Sequence, residues 1–357
     1  MVSAIILAGG WATRLRPLSL TKPKPLFPVL GRPILDYTLD SLDRAGIQDI
    51  YISLRVMADK IIKHVENQGR KVKFVIEDEP LGDLGPLKLI SETNNLDDEV
   101  LVIYGDVYME VDFNEILSVY RSMDCEATLL SAQVNNPQRY GVLYTEGDKL
   151  IQIVEKPSNP LSNSINAGVY VFNKKLFSMI SGKSIARHFL PKLLQKGCVS
   201  VYKYNGVWAD IGIPSDYLRL NFELLRRRYP RGYISEKALI DERTNLTPPY
   251  FIMDNVKIRN SYVDSNTILH TGVTVLEGSY ISESLVMNNA EIGQSSFLKN
   301  VIVGDNSKIG RWNHIREGSI LGEEVITGDG VLLNKETVVL PYKEISDPVY
   351  KERRIIL

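Results

Sequence analysis

Apolar positions along the chain follow two different rhythms. From Val2 to Leu7 they run continuously, as in a buried strand, and Gly9-Gly10 follows two residues later. Ile34 to Ala45 carries helical spacing and stops at Gly46; Asp49 to Leu54 is strand-like, Asp59 to Asn67 helical, and Val72 to Ile76 strand-like again. A helix is expected after Pro86, then a buried strand at Val100 to Tyr104. Strand and helix in alternation predict a mostly parallel sheet covered by helices on both faces, an α/β domain over residues 1–230. In such sheets ligands sit beyond the carboxyl ends of the strands, where both Gly9-Gly10 and Gly105-Asp106 fall.

Between residues 231 and 250 the pattern dissolves into Pro, Gly and polar residues, which reads as a linker. Beyond it Val256, Tyr262, Ile268, Thr274, Tyr280, Val286 and Ile292 stand six apart. After a slip of one come Phe297, Val303, Ile309, Ile315 and Leu321, and after another Ile326, Leu332 and Val338. A six-residue period with one inward residue per step predicts a parallel β-helix over residues 251–357, with the last residues as its tail.

The 357 residues are long for one domain and comfortable for two. Lys plus Arg (42) balances Asp plus Glu (43), which argues against nucleic acid or an anionic membrane as partner. Two cysteines, Cys125 and Cys198, are too few for a disulfide framework or a zinc cluster, so a reducing cytoplasmic setting is expected. No apolar run is long enough to span a bilayer.

The candidate chemistry gathers at strand ends. Gly9 and Gly10 let the backbone turn with amides bare, a nest suited to phosphates, although a Gly-Gly pair is also an ordinary turn. Arg14 and Lys24 follow as a planar fork and a point charge. Asp106 and Asp210 offer hard oxygen ligands of the kind that hold a divalent ion together with substrate phosphates; taken singly, each is also a common turn residue. Glu155, Asn166 and Gly168 suit sugar hydroxyls, and Lys156 a phosphate monoester.

The order Gly-Gly-x-x-Thr-Arg-Leu-x-Pro, Pro-Lys, Gly-Asp, Glu-Lys-Pro, Asn-Ala-Gly and Trp-x-Asp-Ile-Gly resembles the sugar-1-phosphate nucleotidylyltransferases across essentially the whole chain. Glu79-Pro80-Leu81-Gly82, Gly85-Pro86-Leu87, Ser162 to Gly168 and the tail motifs Gly310-Arg311-Trp312 and Val339-Leu340-Pro341 are most similar to the mannose-1-phosphate guanylyltransferases. The resemblance implies a Rossmann-like domain followed by a left-handed β-helix. It implies that Leu7, Ala8, Gly9, Gly10, Glu79, Gly82 and Gly85 line the nucleotide. Arg14 and Lys24 would neutralise the triphosphate, and Gly141, Glu155, Lys156, Asn166 and Gly168 would hold the sugar phosphate. Asp106 and Asp210 would bind Mg²⁺. GTP with mannose-1-phosphate is the expected pair, with glucose-1-phosphate and dTTP, UTP or ATP as alternatives. A homo-oligomer, dimer or tetramer, would form through the β-helix.

Two positions depart from the family pattern. Ala12 stands where glycine is usual, and Ala186-Arg187-His188 where a Glu often follows Ser-Ile. They leave open a regulatory, non-catalytic relative. His270 and His314 leave open acyl transfer in the β-helix.

Overall fold

The computed structural model describes residues Met1–Leu357. The chain divides into two compact units. One comprises Met1–Trp11, Pro23–Leu26 and Pro33–Asp210, the other Ala12–Lys22, Phe27–Arg32 and Ile211–Leu357.

In the first unit the long strands are β1 (Val2–Leu7), β2 (Asp49–Leu54), β3 (Lys73–Ile76), β4 (Glu99–Tyr104), β5 (Val107–Met109), β6 (Ala127–Gln133), β7 (Gly141–Glu146), β8 (Lys149–Glu155), β9 (Ser164–Asn173), β10 (Val199–Lys203) and β11 (Trp208–Asp210). The helices are α1 (Ile34–Arg44), α2 (Ala58–Asn67), α3 (Gly85–Thr93), α4 (Phe113–Ser122) and α5 (Leu190–Leu194). Nine strands form one sheet in the order β3-β2-β1-β4-β9-β6-β10-β8-β7, and β11 pairs with β5 in a small ribbon. From β3 to β4 all neighbours are parallel, as the alternating pattern predicts. From β9 onward the sheet is mixed. β9 runs antiparallel to β4 and β6, and β7–β8 is a hairpin.

Alternation along β1 divides the core. Ala4 and Ile6 join one buried cluster with Leu35 and Leu39 of α1 and Ile61 of α2, while Ile5 joins another with Leu87 and Ile90 of α3 and Leu193 of α5. β1 and β4 are buried on both sides, which is why they read as unbroken apolar runs. The sheet ladder of β9 with β6 is interrupted between Asn166 and Tyr170, where Gly168 takes φ +81°. Breaks of this kind re-aim side chains beside functional sites.

The two cysteines are joined, against the reading from their number. Cys125 and Cys198 stand just ahead of two neighbouring parallel strands, β6 and β10, with Cα atoms 4.8 Å apart. A sequence separation of 73 hides a proximity that only strand pairing creates.

The second unit holds α6 (Pro214–Arg228) and a parallel β-helix of three sheets with eight, seven and six short strands. Residues 231–250, expected as a linker, supply its first coil: Tyr233–Ile234, Leu239–Ile240 and Asn245–Leu246 pair in parallel with the strands of the next turn. Their polar sequence reflects a coil with a partner on one side only. The tail strand Ile355–Ile356 closes on Val338–Val339.

The inward residues form the ladder Ile258, Val263, Leu269, Val275, Ile281, Val286, Ile292, Leu298, Val303, Ile309, Ile315 and Leu321. Steps of five at Ile258–Val263, Ile281–Val286 and Leu298–Val303 interrupt the six. The frame read from sequence therefore sits one residue early at Tyr262, Ile268, Thr274, Tyr280, Phe297, Ile326, Leu332 and Val338. Tyr262 and Ile326 point to solvent at 53% and 41% exposure. In a two-residue strand an outward aromatic beside an inward aliphatic satisfies the same apolar pattern. Corners are turned by asparagines in the left-handed region, Asn255, Asn260, Asn266, Asn289, Asn300 and Asn306, whose short polar side chains tolerate it.

Candidate active site

β1 ends where the chain must turn sharply. Ala8 N–H donates to the Ser53 carbonyl and Gly105 N–H to the Leu7 carbonyl, each at 2.9 Å, so the ends of β1, β2 and β4 are tied together. Gly9 follows with no room for a side chain: a Cβ would stand 2.9 Å from Glu77 Oε1. Gly10 faces open space. Trp11 is exposed, with the Arg55 guanidinium 5.6 Å over its ring.

Lys24 lies on a short turn, Lys24–Leu26, and is buried. Its ammonium donates to Asp106 Oδ2 at 3.0 Å and to Asp210 Oδ1 at 2.5 Å. Asp210 is delivered by the β11–β5 ribbon, in which it faces Val107, the residue after Asp106. Two aspartates far apart in sequence thus converge on one cation. Burial alone would push the Lys24 ammonium down, but the charges of Asp106 and Asp210 overcome it and its pKa lies above the ordinary value. The Asp106 side chain keeps 41% of its surface and Asp210 15%, so Asp106 is the carboxylate open to a ligand. No third acidic or imidazole group joins them. That donor set fits magnesium, which is commonly held by one or two carboxylates with substrate phosphates and water completing the shell.

Around the break in β9 lies a second cluster. Gly141 is the first residue of β7, and a Cβ there would meet Glu155 Oε2 at 2.9 Å and Asn166 Cβ at 3.6 Å. Gly141, Glu155 and Asn166 are therefore brought together, as the resemblance implies. Lys156 takes φ +51°, and its half-exposed ammonium stands 3.7 Å from Glu155 Oε1. Gly168 is packed against Tyr104, whose Cδ2 would lie 2.5 Å from a Cβ. Trp208 Nε1 donates to the Ala167 carbonyl at 3.0 Å, which couples this cluster to the strand that carries Asp210.

Gly82 (φ +77°) and Gly85 shape the loop before α3. Glu79 is exposed there. Sequence reasoning passed over what this loop carries. Asp83 accepts from Tyr104 Oη at 2.7 Å and from Ile185 N–H at 2.8 Å. Tyr170 Oη donates onward to Tyr104 Oη at 3.3 Å, and Asn166 Nδ2 donates to Tyr170 Oη at 2.6 Å. A buried polar chain thus joins the Gly82 loop to Asn166. Burial raises the Asp83 carboxyl above its usual range, against the hydrogen bonds that favour its charge, and burial likewise pushes up both phenols. Glu77, buried beneath Gly9 and accepting from Ser53 Oγ at 2.5 Å, was missed as well. Its position at the end of β3 was the available signal, the same one that marks Asp106.

Arg14 belongs to the second unit, exposed on the turn Thr13–Leu15. Ala12, which opens that turn, is left-handed (φ 48°, ψ 41°), the conformation for which glycine is suited. Ala186 lies buried in the wide turn Ile185–Phe189, whose first amide binds Asp83. Of the β-helix histidines, His270 is sealed at 1% exposure and His314 packs on Phe297 at 4.7 Å.

The structure thus brings together Lys24 with Asp106 and Asp210, and Gly141 with Glu155 and Asn166. The chain belongs to the nucleotidyl transferase family, which it matches over residues 3–227, and is a nucleotidyltransferase. Residues 246–356 match the GMPPB C-terminal domain. Over its full length the chain is 51% identical to a putative mannose-1-phosphate guanyltransferase of Sulfolobus acidocaldarius, covering all of both chains. It is 32% identical to the mannose-1-phosphate guanyltransferase of Candida albicans, covering 99% of this chain and 100% of that one. Among solved structures it is similar to HddC from Yersinia pseudotuberculosis complexed with GMP-PN, at 33% identity and TM-score 0.54, covering 63% of this chain and 100% of that one.

Proposed function

We propose that this nucleotidyltransferase moves a guanylyl group from GTP to mannose-1-phosphate, yielding GDP-mannose and pyrophosphate with Mg²⁺ bound. The convergence of Asp106 and Asp210 on Lys24 carries the chemical reading. The names of the full-length relatives, and the GMP-PN with which the Yersinia protein is complexed, support the choice of substrates.

A sugar-1-phosphate oxygen attacks the α-phosphorus in line; a new O–P bond forms as the bond to the β-phosphate oxygen breaks. The nucleophile is already ionised at neutral pH, since a phosphate monoester has a second pKa of about 6. No general base is required, which agrees with a site whose side chains are cations, carboxylates and amides. The obstacle is bringing two anions together, so catalysis rests on charge neutralisation and alignment. Arg14, Lys24 and Lys156 meet the phosphate charge, and Glu155 and Asn166 hold the sugar. Mg²⁺ held by Asp106 and Asp210 supplies further charge neutralisation at the phosphates.

We further infer a homo-oligomer, dimer or tetramer, built through the β-helix, and a cytoplasmic setting. No helix is long and apolar enough to cross a membrane.

The test is pyrophosphate release across a grid of nucleoside triphosphates and sugar-1-phosphates, with and without Mg²⁺. The expected maximum is GTP with mannose-1-phosphate. A maximum elsewhere would replace the substrate pair, and no release from any pair would overturn the reading.

A further inference from the structure

The segment that leads from Arg14 through Lys24 is bolted to the β-helix unit at Lys22 and again at Pro28 and Leu30, and the four residues Pro23–Leu26 lie between the bolts. Upstream, Lys22 Nζ donates to Asp305 Oδ2 at 2.6 Å, in a largely covered pair (22% and 13% of each side chain exposed). Downstream, the buried Tyr217 donates its hydroxyl to the Pro28 carbonyl at 2.6 Å, and Asn221 Oδ1 accepts from Leu30 N–H at 2.9 Å. Phe27 meets the Tyr217 ring edge-on at 5.4 Å, and Gly31 lies tight against Met253. Between the bolts Pro23–Leu26 leaves this unit for the first one, and Lys24 is on that bridge.

Asp305 is itself held rigidly. Its other oxygen accepts from Asn288 N–H at 3.0 Å and Asn288 Nδ2 at 2.8 Å, one coil away. His270 and Tyr217 also face its charge. Both His270 ring nitrogens are buried with no hydrogen-bonding group of the chain against them. Burial opposes ionisation of Asp305, yet Lys22 and Asn288 hold its carboxyl below the usual range. In such surroundings a charge pair is strong and directional, and removing one partner leaves the other uncompensated.

We propose that Asp305, acting through Lys22, is a positioning residue for nucleotidyl transfer: it fixes the chain on the upstream side of Lys24 so that Lys24 is held in register for the triphosphate. The inference rests on the proposed function. It gives the β-helix a part in the reaction besides assembly, although Asp305 touches no substrate.

The experiment compares wild type, Asp305→Asn, Lys22→Met and the charge-swapped double variant Lys22→Asp/Asp305→Lys in the full chain. In each single variant kcat/KM for the nucleoside triphosphate should fall about tenfold to a hundredfold, because small misplacements of aligned groups are costly. KM for the sugar-1-phosphate should stay within about twofold, a split that general loss of stability would not produce. The swapped pair should recover part of the loss. Hydrogen exchange, which needs no turnover, should speed up within residues 12–32 of the single variants. A wild type without transferase activity would remove the proposed function, whereas the exchange result would still report on the bolt. Unchanged triphosphate kinetics and exchange in a folded Asp305→Asn chain would overturn the proposal. Should that variant not fold, Lys22→Met decides by the same readings; failure of both to fold would assign the pair to stability alone and overturn it as well.

Discussion

Gly82 passes so close to Lys183 that a Cβ at Gly82 would stand 2.0 Å from the Lys183 carbonyl oxygen. The approach is fixed by the neighbouring Asp83 N–H, which donates to that same oxygen at 3.1 Å. Gly82→Ala adds a clash with backbone to a left-handed φ, and should cost about 1–3 kcal/mol of stability. Because Asp83, Tyr104, Tyr170 and Asn166 form one polar chain, KM for both substrates should rise too. Thermal unfolding and steady-state kinetics check this, and a variant with wild-type melting would refute the rigid contact.

Asp106 is the more open of the two carboxylates on Lys24. Asp106→Asn keeps the shape and removes the charge, so turnover should drop about a hundredfold or more, given roughly 2.7–4 kcal/mol for a preorganised electrostatic contact. The measurement is kcat at saturating substrates and magnesium. Near-normal turnover would sink the assignment of Asp106 to the metal.

Ala12 adopts a conformation that costs an L-residue roughly 1–2 kcal/mol, part of which glycine recovers before its own entropy cost. Ala12→Gly should therefore leave stability unchanged or raise it by up to about 1 kcal/mol. Denaturant unfolding reads the sign, and a clear loss of stability would mean the methyl group makes packing contacts worth more than the strain.

His270 should make the fold acid-sensitive. Burial lowers its pKa from 6.5 to about 4, against the pull of Asp305 and with the help of Lys22. Between those values the unfolded chain binds a proton that the folded chain refuses. Stability is thus full above about pH 6.5 and falls as pH drops toward 4, by roughly 3 kcal/mol at most from this group. Chemical denaturation at a series of pH values should show that slope, and His270→Leu should flatten it. An unchanged slope in the variant would place the acid sensitivity elsewhere.

Much of the fold was legible because it depends on local pattern. The unbroken apolar runs of β1 and β4 marked central parallel strands, and the recurring six marked the β-helix. Gly9-Gly10 and Asp106 could be singled out because each follows a strand, and Asp210 because Trp208 stands near it and a glycine just after. What escaped depends on partners distant in sequence. Asp83 meets Ile185 across 102 residues, and Cys125 meets Cys198 across 73. The inward frame slipped because Tyr262 and Tyr280 are apolar neighbours of the true inward residues, and apolarity does not say which side of a two-residue strand faces in. The first coil, 231–250, was hidden by its polar composition.

The bolt between Lys22 and Asp305 also has a meaning in time. A ribosome delivers Lys22 well ahead of its partner, and 283 positions separate it from Asp305. Tyr217 and Asn221, the partners of Pro28 and Leu30, come 189 and 191 positions after them. The segment around Lys24 is thus made long before the partners that hold its flanks. A nascent chain halted after α6 has made every strand of the central sheet, yet its glycine turn leads into a segment still waiting for the coil that will hold it.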